Sequence, residues 1–373
     1  MKVTAAVVKD VGAPFTIEDN IELHEVGPTD LQVHIVASGL CHSDEAIRVG
    51  EASVGYPEIL GHEGSGIVEK VGANVTDFKP GDHVILSYWT DGTCDKCLAG
   101  HAGQCRNYTK GDLMGVQPDG DYNFSKDGQH ISNMLNQSSF ATTAVVKQRN
   151  AVKIDKDLDL RKFGPLGCRY VTGSGTVLNA LQPRPGQTIA VFGTGAVGLA
   201  AMMAAKISGY TKIIAVDRND NRLELAKELG ATHTINTNDA EPVQAIRDLT
   251  NGYGGDFSID TTGAPVITKA AIDALTIGGT CAGIAVTSNS VNISEWGDLS
   301  AFDKNFIGVL MGDSVPQLDI PRLMEFYKLG WFPFDKTEKF YDFDQINEAN
   351  EDSKSGKVIK PVLIIDKDYQ PGE

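Results

Sequence analysis

Residues 188 to 217 leave this chain little choice of fold. Thr188-Ile189-Ala190-Val191-Phe192 is an unbroken apolar run of strand length. Gly193-Thr194-Gly195-Ala196-Val197-Gly198 follows at once and opens a helical run from Leu199 to Ile207. A second strand, Lys212-Ile213-Ile214-Ala215-Val216, ends at Asp217. Strand, glycines, helix, strand and acidic residue, in that order, predict a doubly wound parallel sheet with a dinucleotide at the helix N-terminus. Gly193, Gly195 and Gly198 let a pyrophosphate approach the backbone, and the helix N-terminus faces its charge. Asp217 can accept from both hydroxyls of an adenosine ribose and would repel a 2′-phosphate, which favours NAD over NADP. Arg218 argues the other way. Asp217 could also cap the next helix, but Asn219 and Asp220 can do that.

The alternation continues beyond Asp217. Arg222 to Leu229 reads as an amphipathic helix closed by Gly230, Thr234-Ile235 as a short strand, and Phe257 to Asp260 and Thr280 to Ile284 as further strands around a helix near Val266 to Leu275. The N-terminal part has a different rhythm. Thr4 to Val8, Leu31 to Val36, Ile67 to Val71 and His83 to Leu86 alternate apolar and polar residues between Gly and Pro turns, as antiparallel strands do. Residues 111–135 are polar and read as an irregular excursion before a strand at Ser139 to Val146. A helix near Pro321 to Leu329 and a strand from Val358 to Ile365 close the chain. His24, His34 and His83 read as surface or packing histidines, and Cys281 as a packing residue.

Within the first part, 20 residues separate Cys41 from His62, and 105 more separate His62 from Cys168. Two thiolates and an imidazole are ligands that Zn²⁺ prefers, and three protein ligands leave its fourth position open. The wide spacing suits a reaction centre better than a structural clip, which takes its ligands from one short loop. Each residue alone is more simply explained by packing.

Gly61-His62-Glu63, with Gly66, Gly72 and Val75 after it, resembles the signature of zinc-containing alcohol dehydrogenases of the medium-chain dehydrogenase/reductase family. Cys41-His42-Ser43-Asp44 resembles the same family's first ligand motif. The resemblance covers nearly the whole chain. It implies an α/β architecture: a GroES-like, mainly antiparallel catalytic domain at 1–169, a Rossmann NAD-binding domain at 170–307, and a return to the catalytic domain at 308–373. It also implies roles. Ser43 would carry the substrate proton, and His42 would meet the pyrophosphate or pass that proton on. Asp44 would orient His62, and Glu63 would assist ligand exchange at the metal. Thr172 and Val197 match nicotinamide contacts, Arg222 a ribose contact and Lys360 a phosphate contact. Tyr88 and Trp89 fall where relatives line the substrate pocket. Two departures stand out: Ala46 occupies the position of a relay histidine, and Arg169 that of a glycine.

Asp91, Cys94, Cys97 and Cys105 match the spacing of the family's structural zinc lobe, with Asp91 where the first Cys normally stands. An Asp-Cys₃ zinc site is one reading. A degenerate lobe with Asp91 in an Asp-Gly turn is the other, and His101 is a further candidate for the fourth ligand. The tail segments Gly312 to Gln317, Phe332 to Lys336 and Phe340 to Asn347 resemble the aryl-alcohol (benzyl alcohol) dehydrogenases. The expected reaction is hydride transfer between NAD and a primary, aromatic alcohol. A polyol or threonine dehydrogenase, or a non-catalytic NAD-binding relative, are the alternatives; the last predicts loss of Cys41, His62, Cys168 and Ser43, all of which are present.

The 373-residue chain is 41% hydrophobic and carries a formal net charge of -16, which disfavours nucleic acid and anionic membranes as partners. The N-terminal apolar run is too short for a signal peptide and no run is long enough to span a bilayer. A cytoplasmic homodimer or homotetramer with reduced thiols is the expectation.

Overall fold

The computed structural model describes residues 1–52 and 55–372. Among these residues the chain divides into two compact units. One holds Met1–Cys168, Val315–Pro321 and Asp335–Glu373; the other holds Arg169–Ser314 and Arg322–Phe334.

In the first unit the alternating N-terminal residues do what period two demands. Val3, Ala5 and Val7 point into one apolar cluster with Ile21, Leu23, Ile59, Phe124 and Ile131. Around it the strands Lys2–Val8, Thr16–Leu23, Phe124–Lys126, Gln129–Asn133 and Glu58–Ile59 close into a barrel. A second sheet runs in the order Ala151–Ile154, His83–Leu86, Gly64–Val71, Asp30–Gly39, Lys360–Ile364 and Glu338–Asp342, with Thr143–Lys147 also paired to Asp30–Gly39. Leu31, Val33 and Ile35 pack there against Val68, Val84 and Val146. His34, read as a surface or packing residue, pairs with Asp366 at 2.8 Å.

One expectation fails here. Residues 111–135 are not wholly irregular: Phe124–Lys126 and Gln129–Asn133 form an antiparallel hairpin within the barrel. Its turn residues Asp127 (φ 51°) and Gly128 (φ 80°) are both left-handed, the conformation an Asp-Gly hairpin turn requires. The strands are only three and five residues long, too short to show a period. The late helix also starts earlier than expected, spanning Pro316–Lys328 with Pro321 inside it.

In the second unit, six parallel strands lie in the order His233–Asn236, Lys212–Asp217, Thr188–Phe192, Gly255–Asp260, Leu275–Gly283, Asn305–Gly308. The order reverses at the central strand Thr188–Phe192, as a doubly wound sheet should. Phe192, Ile214, Val216, Ile246 and Ile272 fill the core on one side of the sheet. Residues 308–314 belong to this unit; Met311 Sδ receives a contact from the Thr172 hydroxyl at 3.8 Å.

A buried ion network anchors the helix His42–Arg48 in the first unit. Arg48 donates to both carboxylate oxygens of Glu45 at 2.7 and 2.9 Å, and to the carbonyls of Gly12 and Ala13. Asn350 donates to Glu45 at 2.8 Å from the helix Ile346–Lys354. Burial alone would raise the Glu45 carboxyl, but Arg48 and Asn350 outweigh it and hold the group at about 2. A carboxyl depressed on folding stabilises fully above its unfolded value, and that stability is lost as pH falls toward the folded value. The stability advantage of wild type over Glu45→Gln in urea denaturation is therefore expected to shrink as pH falls from about 5 to about 2. An advantage independent of pH over that window would contradict the assignment.

Candidate metal and cofactor sites

Strand register brings the first donor set together. Ser38 pairs with Gly64, so the end of Asp30–Gly39 and the start of Gly64–Val71 lie side by side. Cys41 follows the first strand and His62 precedes the second. Cys168 arrives from a 3₁₀ turn, Gly164–Gly167, pressed against the same region. A Cβ on Gly167 would lie 1.9 Å from the Leu86 carbonyl oxygen, so only glycine lets this turn sit so close.

One ligand atom from each of Cys41, His62, Glu63 and Cys168 lies within 4.8 Å of all the others, and all four residues are buried. Asp44 organises two of them, Cys41 and His62. Its fully buried carboxylate accepts from Cys41 N at 2.7 Å and Gly61 N at 3.0 Å, and lies 3.2 Å from His62 Nδ1. His62 Nε2 is buried with no hydrogen-bond partner. A bare imidazole nitrogen beside two thiols and a carboxylate is the donor set zinc takes. The field is suitably negative: burial disfavours a charged ring, yet Asp44 and Cys41 push His62 up to about 9.

Ser43 is half-buried, its Oγ 3.7 Å from Cys41 Sγ, while His42 is exposed. Ala46 is buried on the same helix. Lys360, expected at a phosphate, is instead fully buried and pairs with Glu63 and the Leu40 carbonyl. It sits there because its strand pairs with Asp30–Gly39, which carries it toward the donor set. Burial pushes its ammonium down to about 8, against the pull of Cys41 and Asp44.

The second set is Asp91, Cys94, Cys97 and Cys105, again with one donor atom each within 4.8 Å. His101 is not among the clustered donors. Asp91 Oδ1 accepts from Thr93 N and Cys94 N at 2.8 and 2.9 Å, and Oδ2 from Asn107 at 2.5 Å. Burial would raise this carboxyl, but those donors hold it well below the usual range. The Cys97 thiol is pushed up by burial and by the Cys94 sulfur beside it. Crowded thiols of this kind give up their protons most readily to a bound cation. None of the described cysteines forms a disulfide.

The aromatic pair is split. Tyr88 is 1% exposed and packs edge-on to Tyr108, with centroids 6.3 Å apart. Trp89 is half-buried, its ring against Gly111 and its backbone N donating to Asp112 at 3.0 Å. Burial, Asp112 and Cys168 all raise the Tyr108 hydroxyl. Sequence reading missed Tyr108 and Asp112. They lie on a five-residue helix, Tyr108–Asp112, too short for a periodic signal.

In the second unit a cleft of about 490 Å³ is lined by Gly193, Thr194, Gly195, Asp217, Arg218 and Arg222, among others. Gly193 takes φ 95°, and Gly195 caps the helix Ala196–Ile207. A Cβ on Gly195 would meet nothing within 4 Å, so the space above it is open to a ligand. Gly198 packs directly on the Gly193 carbonyl. Asp217 Oδ2 accepts from the backbone and hydroxyl of Thr194 at 2.8 and 2.6 Å, and Oδ1 from Arg218 N and Asn219 N. These donors outweigh burial and keep it ionised. The cleft thus has the backbone and the charge a dinucleotide requires. Thr172 and Val197 lie on the helices Arg169–Gly175 and Ala196–Ile207, which touch where Gly173 meets the Val197 carbonyl. Arg169 is 8% exposed.

Comparison with known proteins fits this geometry. The alcohol dehydrogenase GroES-like domain family matches residues 27–156, and the zinc-binding dehydrogenase family matches residues 196–328. The geraniol dehydrogenase of Castellaniella defragrans is 38% identical over 364 residues, spanning 96% of this chain and 97% of its own. The chain belongs to the zinc-containing medium-chain alcohol dehydrogenase family. An alcohol dehydrogenase zinc-binding domain protein from Burkholderia ambifaria has the same fold, with 41% identity, TM-score 0.93 and coverage of 98% of this chain and 99% of that one. So does benzyl alcohol dehydrogenase from Acinetobacter calcoaceticus, with 39% identity, TM-score 0.93 and coverage of 98% and 100%. The two units are accordingly a GroES-like domain and a Rossmann domain, and the chemistry of this zinc family is alcohol oxidoreduction. No helix among the described residues is long and apolar enough to cross a membrane.

Replacing Asp44 by Asn removes the carboxylate charge behind His62. Zinc affinity, read by chelator competition, is expected to fall by about 10- to 100-fold, the usual effect of losing such a partner. Unchanged affinity would mean that Asp44 does not support a metal ligand.

Proposed function

We propose that this chain is an NAD-dependent zinc dehydrogenase that interconverts primary aromatic alcohols and their aldehydes. The observation that carries the reading is the convergence of the Cys41, His62 and Cys168 donors, with His62 Nε2 buried and without a hydrogen-bond partner. These three would hold the catalytic zinc, with Glu63 close enough to take part in ligand exchange. When bound, zinc supplies a Lewis acid for the substrate oxygen and NAD a hydride acceptor.

The chain's own residues do the rest. Asp44 keeps the proton of His62 on Nδ1 and leaves Nε2 as a donor. Ser43 Oγ accepts the substrate hydroxyl proton and passes its own outward, toward exposed His42. With Ala46 in place of a relay histidine, this path is short. Asp91, Cys94, Cys97 and Cys105 would hold a second, structural zinc. In the Rossmann unit, Gly193, Gly195 and Gly198 would cradle the pyrophosphate, with Thr172 and Val197 at the nicotinamide, Arg222 at the ribose, and Asp217 deterring a 2′-phosphate. Asp217→Gly is expected to lower the ratio of kcat/KM for NAD⁺ over NADP⁺; an unchanged ratio would reject that role. We read the protein as a cytoplasmic homodimer or homotetramer.

Support for an aromatic substrate comes from Tyr88 and Trp89, which follow Ser87, itself bonded to the Gly167 carbonyl beside Cys168, from Tyr108 packed on Tyr88, and from the likeness to a benzyl alcohol dehydrogenase. The likeness to a geraniol dehydrogenase supports a second reading, an allylic alcohol. Both alcohols are primary and carry a C=C bond next to the carbinol carbon. The test is kcat/KM with NAD⁺ for benzyl alcohol, geraniol and ethanol. A large excess for benzyl alcohol over both others is expected. A preference for geraniol would favour the allylic reading, and comparable values for ethanol would reject an unsaturated substrate.

A further inference from the structure

The loop Met134–Ser139 has a backbone that its sequence does not favour. Leu135, Asn136 and Ser138 take φ of 45°, 56° and 49°, a region that residues with side chains other than Asn and Asp seldom enter. None of the three is glycine, and each is at most 7% exposed. Such strain persists only where the surroundings over-determine it. Here the surroundings include the backbone that leads into His62. Ser139 N donates to the Gly61 carbonyl at 2.9 Å and Phe140 N to the Leu60 carbonyl at 3.1 Å. Met134 N donates to Ser138 Oγ at 2.9 Å.

The loop delivers one side chain. Gln137 is fully buried, and its amide is used at both ends. Nε2 donates to the His62 carbonyl at 2.9 Å and to the Ser87 carbonyl at 3.1 Å. Oε1 accepts from Gly64 N at 3.4 Å. Ser87 carries the connection further, its Oγ donating to the Gly167 carbonyl at 2.6 Å. Asn150 holds the same assembly, donating to the Ser87 carbonyl at 2.9 Å and the Leu135 carbonyl at 3.2 Å. Gly167 directly precedes Cys168. One fully buried path therefore runs from the backbone of His62, through Gln137 and Ser87, to the residue beside Cys168.

We propose that Gln137, with Ser87 as its continuation, is a positioning residue that sets the separation of the His62 and Cys168 donors. The proposal rests on the reading of His62 and Cys168 as zinc ligands. The role of Gln137 differs from that of Asp44, which grips the other pair, Cys41 and His62. A carboxylate cannot replace the amide, because Glu has no donor for two carbonyls. Met has a similar length and offers neither contact.

The test uses full-length protein loaded with zinc or with cobalt(II). Gln137→Met and Ser87→Ala are compared with wild type, with the double variant, and with Asn123→Ala. Asn123 is a buried amide that donates to the Val145 carbonyl at 2.8 Å, outside this path. His62→Ala identifies which metal equivalent and which cobalt d–d bands belong to this centre. The expected result is that Gln137→Met weakens metal retention there by about 10- to 100-fold and shifts those bands. Ser87→Ala should do the same to a smaller degree, with less than additive effects in the double variant, while Asn123→Ala changes neither. Wild-type retention and bands in Gln137→Met would overturn the proposal. If that variant does not fold, the same result in Ser87→Ala would overturn it. Full metal content in His62→Ala would overturn the metal reading, and the proposal with it.

Discussion

The first donor set depends on one buried carboxylate. Asp44 is the third residue of a helix that Cys41 caps, and it reaches back to the Cys41 amide while also accepting from Gly61. A charged group out of water is costly unless its lone pairs are taken. Two backbone donors and the His62 ring take them here, and hydrogen bonds to a charge are worth about 1.5–3 kcal/mol each. The arrangement is therefore affordable only with both segments in place. That makes Asp44 a condition for bringing residues 41 and 62 together, beyond its effect on the imidazole.

The two donor sets sit in different surroundings. Cys41, His62, Glu63 and Cys168 are buried, whereas three of the four lobe residues are half-exposed. A buried set can exclude water from a reacting oxygen, where electrostatic effects are strongest. A rim set can hold a loop in shape and little more. Lys360 fits the first description: a buried ammonium beside Glu63 offsets charge that the sulfurs and carboxylates accumulate.

Much of this was legible in the residues because it is local. Strand, glycine cluster, helix and Asp217 follow one another in thirty residues, and Cys41 to Asp44 are adjacent. The hairpin at 124–133 was hidden because its strands are too short to carry a period, although its Asp-Gly turn was a usable sign. Gln137 and Tyr108 were hidden for another reason. A lone Gln in a polar loop and a Tyr on a short helix gain meaning only from partners far away in sequence. Lys360 was read from resemblance as a phosphate contact; its pairing with Glu63, distant in sequence, depends on strand register, which no local pattern encodes.

The most direct measurement is an anomalous difference map from crystals of the metal-loaded protein, collected above and below the zinc edge. One zinc peak is expected between Cys41, His62 and Cys168, and a second among Asp91, Cys94, Cys97 and Cys105. A fully loaded protein with no peak at the first position would contradict that placement.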